Sequence, residues 1–156
     1  MKFSYNKRWE EELLMLGFQK HITDIERAKL GKLIEKVMYA SDVKLIKPLI
    51  IILKNSEHLL GQVQSIYNTL EYTNENDYYR SLFSILPNMI DNNPSEILNC
   101  LAVHNINDTN ITPVMDIMNE LLSSEEQSKI ANLMKEYNCI TDTEYSFFYS
   151  QLSKGG

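Results

Sequence analysis

Apolar residues recur at three- and four-residue spacing along nearly the whole chain, and no stretch alternates with the period of a strand. The pattern predicts an all-α protein of about nine short helices. Trp9, Leu13 and Leu16 stripe the first; Leu30, Leu33, Ile34, Val37 and Met38 stripe the second. Leu45, Ile46 and Leu49 to Leu53 form a more continuously apolar helix. Leu59, Leu60, Val63, Ile66, Tyr67 and Leu70 follow, then Tyr79, Leu82, Phe83, Leu86 and Ile90. Later stripes run through Ile97, Leu98 and Leu101, through Val114, Met118 and Leu121, through Ile130, Leu133, Met134 and Tyr137, and through Tyr145, Phe148, Tyr149 and Leu152.

Capping residues mark where helices begin, because a side-chain oxygen there accepts from a backbone N–H that has no helical partner. Thr23 with Glu26, Asn93 with Glu96 and Thr141 with Glu144 have the spacing of a capping box. Asn93-Pro94 and Thr112-Pro113 place proline at a first helical position, where its missing donor costs nothing.

A shift of 39 residues superposes Ile46, Pro48, Ile51, Ser56, Glu57 and Leu59 on Ile85, Pro87, Ile90, Ser95, Glu96 and Leu98. A period near 40, with proline inside the first helix of each pair, is the habit of HEAT-like stacked helical hairpins. The expected architecture is therefore an α-α superhelix with a curved face suited to holding another protein.

With 156 residues, 44% hydrophobic and 23% charged, the chain has ordinary globular composition. A single domain over residues 1–154 is expected, with 155–156 a disordered tail. The apolar run around Leu49 to Leu53 is far shorter than the ~20 residues of a membrane span. The N-terminus shows no export signal, and Cys100 and Cys139 lack C-x-x-C spacing. A cytoplasmic protein with reduced thiols, no membrane association, and a monomeric or weakly dimeric free state is the expectation.

Charge changes the functional picture. Residues 1 to 54 hold 11 Lys/Arg against 7 Asp/Glu, whereas residues 55 to 156 hold 4 against 14. The acidic two-thirds repels phosphate backbones, which disfavours nucleic acid, and attracts basic proteins. The three histidines, His21, His58 and His104, lie too far from one another and from the cysteines for a metal site. Neither a cofactor nor a catalytic set is expected, so the chain is read as a binder and not an enzyme. Two polar connections stand out: Glu71 to Tyr78 and His104 to Asn110. From them and the nearby Asp91 come the candidate partner-binding residues: Glu71, Tyr72, Glu75, Asp77, Tyr78, Asp91, His104, Asn107 and Asp108. Tyrosines beside carboxylates are typical anchors of protein interfaces.

The segment from Asp42 to Ser123 resembles the helical immunity proteins of bacterial polymorphic-toxin and contact-dependent growth inhibition systems. The resemblance lies in Leu45-Ile46-Lys47-Pro48-Leu49, in Ile66-Tyr67-Asn68-Thr69-Leu70-Glu71 before an acidic turn, and in Tyr79 through Leu86-Pro87-Asn88-Met89 and Asn93-Pro94-Ser95-Glu96. It departs where His104 and Asn107 stand in place of an arginine followed by an asparagine. The resemblance implies an antidote that binds the C-terminal domain of a cognate toxin, a basic nuclease, and masks its active site or substrate surface. The alternatives are a HEAT-like adaptor for other cellular partners and an enzyme whose site is assembled from scattered residues.

Overall fold

The computed structural model describes residues 3–154, so the expected tail at 155–156 lies outside the described residues. All regular structure among them is helical: nine α-helices of eight residues or more, a single-turn α-helix and one 3-10 turn. In chain order they are α1 (Lys7–Gly17), α2 (Asp24–Glu35), α3 (Val43–Ile52), the 3-10 turn Leu53–Asn55, and the single-turn α4 (Ser56–Leu59). Then come α5 (Gln62–Glu71), α6 (Glu75–Met89), α7 (Pro94–Leu101), α8 (Ile111–Leu121), α9 (Ser124–Glu136) and α10 (Thr143–Lys154). No helix among the described residues is long and apolar enough to cross a membrane. Sequence reading treats 1–154 as one body. The fold divides into two compact units, Met1–Ser81 and Leu82–Gly156, with α6 running from one into the other.

In the first unit α1 packs on α2, α3 on α5, α1 on α3 and α2 on α5. Each helix of the α1–α2 pair therefore meets one of the α3–α5 pair. Trp9 is buried in α1 and donates its indole N–H to the Leu33 carbonyl at 3.0 Å, fixing α1 against α2. Gly17 lets α1 approach α3: a Cβ there would lie 2.5 Å from Ile52 Cγ2, well inside contact distance. The Asn55 amide donates to the carbonyls of Gly17 and Gln19 at 2.9 and 3.0 Å, closing the same end of the hairpins. Leu13, Leu30, Ile46, Leu49, Ile50, Ile66 and Leu70 fill the centre with no exposed surface. Each contributes on the order of 1.5–3 kcal/mol of hydrophobic stabilisation.

In the second unit α10 packs against both α8 and α9. Phe148 of α10 is fully buried, together with Val114, Met118, Ile130 and Met134. Tyr145 donates its hydroxyl to the Leu98 carbonyl at 2.9 Å, tying α10 to the end of α7. Burial pushes the Tyr145 hydroxyl up to about 12. Cys100 and Cys139 are buried free thiols, and burial also raises Cys139 above its ordinary value.

Several boundaries differ from the sequence expectation. The Thr23–Glu26 capping box is formed, as is a second at Ser123–Glu126. The last helix, however, opens at Thr143, with the amides of Tyr145 and Ser146 donating to Asp142 O at 3.0 and 2.9 Å. Thr141 therefore stands outside it. Helix α8 opens at Ile111, so Pro113 is third in the first turn and not first; the position is tolerated because those N–H groups have no partner within the helix. Val37 and Met38 both fall beyond the end of α2, Val37 buried and Met38 exposed. The 39-residue correspondence also has a limit. Pro48 and Pro87 both lie within helices, but α5 at 62–71 corresponds to 101–110, which is mostly loop.

Candidate protein-binding surfaces

The first polar connection is shorter than the sequence suggests. Thr73 is buried with its hydroxyl donating to Leu70 O, and the Asn74 side chain accepts from Asp77 N at 3.0 Å, so α6 starts at Glu75. Only Tyr72 to Asn74 remain as the link. Glu71, the last residue of α5, and Tyr72 after it are exposed, while Glu75 and Asp77 are half-buried in the first turn of α6. Tyr78 corrects the sequence reading, because it is fully buried and packs edge-on against Tyr79 at 5.0 Å. Once helix geometry begins at Glu75, Tyr78 stands four residues before Leu82 and heads the same inward stripe.

The candidates in the second unit also separate. His104 is a buried polar residue, so it too offers little surface. Asn107 is engaged locally: its side-chain oxygen accepts from the Thr109 amide at 2.9 Å and from the Thr109 hydroxyl. Its backbone N–H donates to Asn110 Oδ1 at 2.7 Å. This knot sets the entry to α8. Asp108 is exposed, and so is Asp91, whose carboxylate lies 3.9 Å from Lys129 Nζ at the edge of a hollow of about 310 Å³.

Charge follows the division of the fold. Residues 1 to 81 carry 12 Lys/Arg and 11 Asp/Glu, a balance of +1; residues 82 to 156 carry 3 and 10, a balance of −7. Eight of those ten carboxylates are exposed: Asp91, Asp108, Asp116, Glu120, Glu125, Glu136, Asp142 and Glu144. Of the opposing cations, Lys129 pairs with Asp91, and the Lys135 ammonium lies 5.9 Å from the Tyr149 ring. With three cations against ten carboxylates, the unit's net field is negative.

A second surface, on the first unit, was not apparent from the sequence. Tyr39 follows α2 with φ 65°, in the left-handed region, where glycine or asparagine sits without steric cost and tyrosine does not. The residue is 62% exposed, and its ring meets that of Tyr72, itself 53% exposed, with centroids 5.6 Å apart. The two turns are joined by the backbone, Asn74 N donating to Ala40 O at 2.8 Å. Beside them a cleft of about 430 Å³ is lined by Phe3, Tyr5, Lys36, Met38, Tyr39 and Asp42, among others. The Lys36 ammonium lies 4.8 Å from the Phe3 ring centre and that of Lys44 lies 5.7 Å from Tyr5. Tyr5 donates its hydroxyl to the Glu10 carboxylate, and that bond holds the Tyr5 pKa above its ordinary value. The sequence does carry one sign of this surface: Met38-Tyr39 continues an apolar stripe past the end of its helix.

Among the described residues no group of three or more His, Cys, Asp or Glu side chains is arranged to hold a metal ion. No protein-family model matches the chain, and no curated protein or solved structure matches it either.

Proposed function

We propose that this protein is an antidote that binds a basic toxin domain, a nuclease, in the cytoplasm and neutralises it by covering its active site or substrate surface. The supporting observation is the concentration of charge: a second unit with a balance of −7 and eight exposed carboxylates. Such a field accelerates encounter with a cationic protein and discourages phosphate backbones. It also competes for the face that a nuclease turns toward nucleic acid. The resemblance of residues 42–123 to helical immunity proteins gives the reading its specific form. Of the nine residues first singled out, Glu71, Tyr72, Asp91 and Asp108 are exposed and available for contact.

The test starts from the neighbouring gene, where a large secreted protein with a variable C-terminal domain is expected; that domain is co-expressed with this chain, and association of the purified pair is followed by stopped flow. Growth should be rescued, and association should slow as salt rises. Replacing Asp116 and Glu120 on α8 by lysine should lower the association rate by about tenfold at low salt, with much less effect on dissociation. Absence of rescue, or an association rate indifferent to both salt and these changes, would sink the proposal. A complex with some other basic protein without rescue would favour the adaptor reading.

A further inference from the structure

We propose that the Tyr39–Tyr72 pair, with Glu71 and the adjoining cleft, receives an arginine side chain from a protein partner. The first argument is conformational. A bulky residue in the left-handed region costs backbone energy that glycine or asparagine would avoid, and such strain persists where the side chain serves a purpose. Of the other left-handed residues among those described, Asn138 carries no such cost, because asparagine tolerates that conformation, and Leu60 bears it without an aromatic side chain. At position 39 the strain places an aromatic ring in solvent, against a second exposed ring.

The second argument is chemical. The cleft already uses cation-on-ring contacts, with Lys36 over Phe3 and Lys44 near Tyr5. Those two rings are engaged by the chain's own ammonium groups, while among the described residues the rings of Tyr39 and Tyr72 meet each other. A planar guanidinium is the cation best suited to stack on such a face while donating to a carboxylate at its edge. Glu71 precedes Tyr72 directly, is exposed, and makes no ion pair among the described residues; Asp42 lines the cleft wall. An anion drawn to Lys36 and Lys44 is the competing ligand, and phosphate is its probe.

The third argument is preorganisation. The Asn74–Ala40 backbone bond joins the two turns before any ligand arrives, so less side-chain and loop freedom is lost on binding. The basic partner proposed above is the natural source of the arginine. The inference rests on that reading for the identity of the protein, but not for the chemistry of the site.

The experiment is a titration of the full chain with N-acetyl-arginine amide, followed by amide shifts in ¹⁵N NMR, with N-acetyl-norleucine amide and inorganic phosphate as separate arms. The arginine probe should give saturable shifts at Tyr39, Ala40, Glu71, Tyr72 and Asn74. Tyr72→Leu, Glu71→Gln and Tyr39→Gly should each weaken it by about two- to fivefold, the range expected for one exposed cation–π or charge contact. Glu71→Gln alters only an exposed polar group, so its result does not depend on refolding. Equal shifts with norleucine or phosphate, or an arginine affinity indifferent to all three substitutions, would overturn the assignment. No toxin is present, so arginine binding without rescue in cells would count against the antidote and leave this site standing. Rescue without arginine binding would do the reverse.

Discussion

The two units solve different problems with the same kind of helix. The first is close to neutral, is drawn together by a glycine contact and an indole hydrogen bond, and carries as its unusual feature a strained, exposed tyrosine set against a second one. The second has no bulky residue in the left-handed region among the described residues and carries its unusual feature as a net charge of −7. The comparison teaches that recognition can be stored in two currencies, local conformation and long-range field. The first acts only on contact; the second acts across roughly a Debye length, about 8 Å in physiological salt.

Substitutions can break or sharpen this contrast. The largest effect is expected from Trp9→Ala, which removes a buried ring and leaves the Leu33 carbonyl without its donor. A loss of ~3–5 kcal/mol in urea unfolding followed by circular dichroism is expected. A loss below 1 kcal/mol, on the order of a surface change, would mean α1 and α2 do not meet through this ring. Gly17→Ala comes next, forcing a methyl group against Ile52, and should cost ~1–3 kcal/mol. If it is neutral, the close approach of α1 and α3 is not as described.

In the second unit, Tyr145→Phe should cost ~1 kcal/mol at neutral pH through the lost bond to Leu98 O. It also alters the alkaline limb. The folded hydroxyl titrates at about 12 against 10.0 for the ordinary group. Between those values the unfolded chain releases its proton first, so the native state loses stability as pH rises. Below pH 10 that contribution is intact. Thermal melts from pH 9 to 11 should therefore decline less steeply in the phenylalanine variant, and identical slopes would refute the role. The smallest effect belongs to Tyr39→Gly, which relieves a left-handed residue and should raise stability by up to ~1 kcal/mol. Destabilisation would show that the ring serves packing more than recognition.

Much of the fold was legible because it depends on periodicity. The stripes of Leu13 and Leu16, of Leu82, Phe83 and Leu86, and of Ile130, Leu133 and Met134 all became buried faces. Thr23–Glu26 capped α2 for the reason the spacing suggests. The errors lie where side-chain type was weighed above register. Glu75, Asn76 and Asp77 look like a turn, but acids are favoured in the first turn of a helix, and their presence hid the i, i+4 relation of Tyr78 to Leu82. Asn107 and Asn110 looked like open surface and instead tie one another's loop. Tyr39 was hidden for a different reason, because no local pattern distinguishes a tyrosine that takes a left-handed conformation from one that ends a helix.

The single N–H of Asn74, held by Ala40 across a gap of more than thirty residues in sequence, is also a clock. Its deuterium uptake measures how often the tyrosine-bearing turns part company. Slower uptake on addition of a ligand would record occupancy of that corner without any label, dye or substitution.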